Sequence, residues 1–233
     1  MKCGIVVFPG SNCDHDCYHI LKDVLNQETH WLWHKDDVDL SSYDLVILPG
    51  GFSYGDYLRA GAISRFSPIM NSVIPFAENG GKVLGICNGF QILCESGLLP
   101  GVLIRNSHLE FRCKWTNLRV ENTDTAFSTR TEEGQVISVP ISHGEGNYFA
   151  SEETLNGIES NGQVLFRYAS PDGFINPDSN PNGSINNIAG ITNHQGNVLG
   201  MMPHPERCCD PIIGGTDGNF IFGSLVDYIG KKV

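Results

Sequence analysis

The chain has 233 residues, 40% hydrophobic and 18% charged, the balance of an ordinary globular protein rather than a disordered or fibrous one. Its formal net charge of −11 argues against a non-specific grip on nucleic acid. No stretch approaches the length of a membrane span, and the apolar run in MKCGIVVFPG is too short for a signal peptide, so a soluble, cytoplasmic protein is expected.

In chain order, residues 4–8 form an apolar, β-branched run closed by Pro9-Gly10, which predicts a central strand and its turn. The segment Cys13-Asp14-His15-Asp16-Cys17-Tyr18-His19 holds groups of zinc-ligand type but lacks the second half of a CxxC…CxxC pattern. With Ser11-Asn12 as a cap and Asp14 and Asp16 suited to a positive helix end, it reads as the start of a helix running to residue 25, and no metal is assigned. Strands are predicted over 29–33 and 44–48, the second stopped by Pro49-Gly50-Gly51. A helix is expected after Gly61, and a strand over 83–86. This alternation argues for parallel strands joined by helical crossovers. From 103 to 139 the pattern changes, and runs such as 116–120 and 135–139 suggest antiparallel strands. Further strands are expected over 164–168, 188–192 and 198–202, with a loop over 175–187 and a closing helix over 219–229. No repeat or linker interrupts the chain, so one domain over 1–233 is expected. Eight cysteines in a reducing compartment read as free thiols.

Within KVLGICNGFQIL, Gly85, Cys87 and Gly89 form a G-x-C-x-G pattern where a strand gives way to a helix. A thiol displayed on so sharp a turn needs glycines beside it, and a helix N-terminus favours its thiolate. The base must come from elsewhere, and Pro203-His204-Pro205-Glu206 offers one. Proline after His204 disfavours the α region there, so an extended segment is expected, with His204 and Glu206 on one side. Cys87, His204 and Glu206 would then follow the logic of a nucleophile, base and orienting carboxylate. A proline-rich loop with a solvated histidine and glutamate accounts for the local sequence as well. Backbone N–H groups at Asn88 and in the Gly50-Gly51 turn could serve a developing oxyanion, although a plain turn also explains the glycines.

GICNGFQ with HPE far downstream resembles the class I (triad) glutamine amidotransferases. PGSNCDHDC, LPGGFSYGDYLRAGA, SHGEGNY, NPNGS, NIAGITN and MMPHPER extend the resemblance from residue 9 to residue 207, towards the branch that serves purine biosynthesis. The resemblance implies an α/β, flavodoxin-like amidotransferase fold, with a central mostly parallel sheet flanked by helices and extra antiparallel strands. It implies Cys87 as nucleophile, His204 as base then acid, Glu206 as its partner, and Gly51 and Asn88 as main-chain oxyanion donors. Gln91, Gly144 and Glu145 fall where such enzymes contact glutamine. No P-loop is present, so the chain would need no cofactor. ATP and magnesium would belong to a separate synthetase subunit, usually bridged to the glutaminase by a small third subunit. Tyr57 and Arg59 are the candidate partner face. A different cysteine hydrolase on a similar sheet, or a subunit kept only for assembly, are the competing readings.

Overall fold

The structure, a computed structural model, describes residues 1–231. Its first half follows the predicted alternation. α1 (Asp14–His19) lies between β1 (Lys2–Val7) and β2 (Glu28–Trp33), a loop without a helix leads to β3 (Leu45–Leu48), α2 (Met70–Glu78) lies between β3 and β4 (Lys82–Ile86), and α3 (Asn88–Glu95) follows β4. Then come β5 (Val102–Ile104), β6 (Arg112–Val120), β7 (Val136–His143), β8 (Asn147–Phe149), α4 (Glu152–Ser160), β9 (Val164–Ala169), β10 (Ile188–Thr192), β11 (Val198–Met201) and α5 (Asn219–Gly230).

Among the described residues, nine strands form one sheet in the order β2-β1-β3-β4-β11-β10-β9-β6-β7, while β5 and β8 make a separate two-stranded ribbon. The pairings from β2 through β11 are parallel and those from β11 to β7 antiparallel. Sequence explains the division. In β3, Leu45, Val46, Ile47 and Leu48 are all buried, as a strand covered on both faces must be. In β7 burial alternates, with Ile137, Val139, Ile141 and His143 turned inward, the mark of a strand covered on one face. No helix is long and apolar enough to cross a membrane among the described residues.

Three local expectations change. The helix anticipated after Gly61 begins only at Met70, because Pro68 holds Ser67 extended (φ −64°, ψ 139°); one tight turn, Ser64–Phe66, lies before it. The segment after His204 is not extended: Pro205–Arg207 is a 3₁₀ turn, although His204 itself keeps a non-helical φ/ψ of −106°/84°. The 175–187 loop contains two further 3₁₀ turns, Pro177–Ser179 and Ile185–Asn187.

Candidate active site

Cys87 joins β4 to α3 with φ 52° and ψ −104°, a conformation L-residues avoid at a cost of roughly 1–3 kcal/mol. The surrounding contacts hold it there. The Cys87 N–H donates to the Met201 carbonyl at 2.8 Å, extending the β4–β11 ladder by one step. Gly89 sits so close to β3 that a Cβ on it would collide with the Leu48 carbonyl oxygen. The turn therefore drives α3 directly against β3, with the thiol at its N-terminus. Cys87 is 6% exposed, and its sulfur lies 3.7 Å from the Ser142 carbonyl oxygen.

Next to β4 in the sheet, β11 delivers His204 to the same end. The His204 N–H donates to the Pro140 carbonyl at 2.8 Å, which pins the segment to β7. The 3₁₀ turn folds Glu206 back so that its Oε1 lies 2.6 Å from His204 Nδ1; the pair is 0% and 2% exposed respectively. Burial is the largest single influence and works against the imidazolium, but the Glu206 carboxylate and the Cys87 and Cys13 thiols together outweigh it and push the His204 pKa well above the usual imidazole value. With Nδ1 committed to Glu206, Nε2 is buried without a hydrogen-bond partner. A thiol at a helix N-terminus beside such a carboxylate-oriented imidazole can attack a carbonyl carbon and pass its proton onward.

Cys87 opens into a cavity of about 230 Å³, shared with Gly51, Phe52, Asp56, Gln91, Arg105 and the Ser142 to Glu145 segment. That is smaller than the ~300–1,000 Å³ of drug-sized pockets and suits a small metabolite. Gly51 has φ +149°, and a Cβ there would come within 2.7 Å of Ser11 Cα. The bridge between residues 11 and 51 is closed by Phe52 N–H to Gly10 O and Asn12 N–H to Gly50 O, leaving the Gly51 N–H outside it. The Asn88 side chain accepts from the Ser53 N–H at 3.1 Å and donates to Gln91 Oε1 at 2.9 Å. Gln91 Nε2 donates in turn to the Glu145 carbonyl at 2.7 Å. One chain of amides thus ties the turn after β3, the elbow and the 143–146 segment together.

The cavity also holds residues that sequence reasoning did not single out. Burial raises the Asp56 pKa, and the nearby Glu145 carboxylate adds to this, bringing it to about 6. Arg105 stands 3.6 Å from Glu145. His143 is buried with both ring nitrogens unpartnered, and desolvation, reinforced by His204, lowers its pKa to about 3, so it is neutral at pH 7. Asp56 belongs to the FSYGDYLRAGA stretch and His143 to SHGEGNY, but nothing in their spacing shows that they meet. Tyr57 and Arg59 stay outside the cavity. Tyr57 is 75% exposed, and Arg59 holds Glu95 with two hydrogen bonds of 2.9 and 2.7 Å. The donors on α1 diverge: Cys17 enters the core, His15 packs on Trp31 and Cys13 comes against His204.

A model of the CobB/CobQ-like glutamine amidotransferase domain matches residues 1–215. The chain is 61% identical over 228 residues to a phosphoribosylformylglycinamidine synthase subunit PurQ of Moorella thermoacetica, covering 98% of this chain and 96% of that one. It is 59% identical to the PurQ subunit of Salinibacter ruber, covering 97% and 96%. Among solved structures it resembles a chain in the structure of PurLQS from Thermotoga maritima, with TM-score 0.86, 44% identity and 98% of both chains covered. A glutamine amidotransferase from Thermotoga maritima shares the fold at TM-score 0.56 and 16% identity, covering 100% of this chain and 85% of that one.

Proposed function

The chain belongs to the CobB/CobQ-like glutamine amidotransferase family, and from that premise we propose that it is the glutaminase subunit of a phosphoribosylformylglycinamidine synthase. It hydrolyses glutamine to glutamate and passes the ammonia to a separate synthetase subunit, which uses ATP and magnesium to convert formylglycinamide ribonucleotide to formylglycinamidine ribonucleotide. The small third subunit bridges the two, as the PurLQS relative suggests. The work is done in the cytoplasm, on the route to purines. The observation that carries this reading is the strained Cys87 elbow facing a small cavity beside the oriented His204–Glu206 pair.

The steps follow from that geometry. The Cys87 thiolate attacks the side-chain amide carbon of glutamine, and the Gly51 and Asn88 N–H groups receive the oxyanion. His204, charged and oriented by Glu206, protonates the leaving ammonia; its neutral form then draws a proton from water, which cleaves the glutamyl thioester. The amino acid's α-ammonium is met by the Asp56 and Glu145 carboxylates, its α-carboxylate by Arg105 and by backbone N–H groups near Gly144. Gln91 braces the Glu145 backbone that makes these contacts. Exposed Tyr57 and Arg59 belong to the docking face, and a sealed junction there keeps ammonia from solvent.

Reaction of the chain with a diazo-ketone analogue of glutamine tests the reading. One adduct is expected on Cys87, blocked by excess glutamine and missing in Cys87→Ala. The complex assembled with Cys87→Ala should lose glutamine-dependent synthesis by about 10³-fold or more and keep synthesis from free ammonia. Loss of both activities would instead make Cys87 an assembly residue.

A further inference from the structure

Cys13 lies at the start of α1, far in sequence from the proposed triad, yet its sulfur joins the buried pair at the end of β11. The Cys13 sulfur, a ring nitrogen of His204 and a carboxylate oxygen of Glu206 lie within 4.8 Å of one another, and all three residues are buried. In a tetrahedral zinc site, bond lengths of roughly 2.0–2.3 Å place donor atoms about 3.5 Å apart. The three donors are therefore about one ångström of side-chain movement from a coordination sphere. Two atoms in the cluster already lack partners: His204 Nε2 and Glu206 Oε2 are both buried and unsatisfied. Unpaired buried polar atoms of that kind are costly unless something occupies them at least part of the time.

We propose that Cys13, His204 and Glu206 form an inhibitory site for a thiophilic divalent cation, zinc being the fitting example. Thiolate, imidazole and carboxylate are the donor classes zinc takes, and a closed set of buried ligands excludes the oxygen-rich shells that magnesium or calcium demand. Binding replaces the Cys13 S–H bond with an S–Zn bond and an N–H bond of the charged His204 ring with an N–Zn bond, and releases both protons to solvent. Arg207 Nη2, now 3.0 Å from the Cys13 sulfur, must give way. It has somewhere to go, because Asp16 already holds its Nε at 3.2 Å. One of the three donors borders a second opening. Glu206 and Arg207 line a second cavity of about 360 Å³ with Asp16, His19 and Ile213, and this shares no residue with the cavity at Cys87. An ion reaching Glu206 from that side would not cross the cavity proposed for glutamine.

Occupation by the metal removes His204 from proton transfer whichever nitrogen it uses. Bonding to Nδ1 severs the Glu206 hydrogen bond that orients the ring, and bonding to Nε2 takes the lone pair a base needs. Glutamine hydrolysis would stop, and the partner's use of free ammonia would not.

The test uses the isolated chain without glutamine, so it stands apart from the glutaminase reading. Cys87→Ala serves as background, to remove the thiol exposed to the other cavity. Titration with Zn²⁺ and with Co²⁺ should show one equivalent bound, with a sulfur-to-cobalt charge-transfer band in the near ultraviolet. Adding Cys13→Ala should abolish that band and weaken Zn²⁺ binding at least tenfold. X-ray absorption on the zinc-loaded chain with its native residues covers the case in which that variant misfolds. One sulfur and at least two nitrogen or oxygen donors are expected there; a shell without sulfur, or with two or more sulfurs, overturns the site. Zn²⁺ binding unchanged by Cys13→Ala overturns it as well. In the assembled complex, Zn²⁺ should suppress synthesis from glutamine at least tenfold more than synthesis from ammonia; equal suppression of both overturns the inhibitory role.

Discussion

Asp56 sits in the left-handed region at φ 55°, with its carboxyl in the same cavity as Cys87. Its folded pKa of about 6 lies above the ordinary carboxylate value of 3.8, so between those two pH values the native state binds more protons than the unfolded one. Stability from the protonated form is present at low pH and is lost as pH rises through 6. Asn tolerates the same backbone and can accept the same 3.5 Å contact from Asn88 Nδ2. The melting temperature of Asp56→Asn should therefore match that of the native chain near pH 4 and exceed it at pH 7.5. If the carboxylate meets the substrate ammonium, the same variant raises the KM for glutamine about three- to tenfold at pH 7.5, the scale of one accessible ion pair. Initial rates across that pH range check both. Cys87 was readable from sequence because an elbow announces itself with glycines on either side. Asp56 and His143 were not, because their electrostatics come from burial and from neighbours on other strands.

α4 was missed in the sequence because it carries almost no apolar stripe: only Ile158 is buried. Its signals are polar ones, a Ser151 side chain accepting from the Thr154 N–H and an acidic first turn at Glu152 and Glu153. What fixes it to the sheet is Arg167 on β9. That guanidinium bonds Glu121, Glu159 of α4 and the Asn186 carbonyl, with only 12% of its side chain exposed. Arg167→Met should cost about 2 kcal/mol, below the 3–5 kcal/mol of a fully buried pair because Glu159 is partly solvated. The urea midpoint should fall without a change in slope. The pairing of His204 with Glu206 was foreseen from an extended backbone, yet a 3₁₀ turn makes it. Proline at 205 constrains both His204 and the turn that follows, and local sequence does not choose between the two geometries.

On the scale of the whole molecule, the parallel half of the sheet was clear in the sequence because strands buried on both faces read as unbroken apolar runs. The order of strands was not, since nothing local says that β11 pairs with β4. The surface carries a further message beside the proposed site. Leu58 is 88% exposed and held at φ 71°, next to Tyr57. A large apolar side chain kept in water on a strained backbone fits a face that another protein chain covers. Leu58→Asp should weaken binding to the synthetase and its small companion by tenfold or more, about 1.4 kcal/mol. Size-exclusion or titration calorimetry would read this, with the isolated chain's melting temperature little changed.

The place of β11 has one more consequence. It is the last of the described strands, yet it lies between β4 and β10, with Gly85 opposite Gly200 and Ile86 opposite Met201. During translation, at ~5–20 residues per second, the elbow emerges roughly ten seconds before the strand that leads to His204, its proposed base. A half-made protein thus displays its thiol without the means to use it. On the proposed reading, the nascent chain cannot hydrolyse glutamine, and competence comes only once β11 takes its place between β4 and β10.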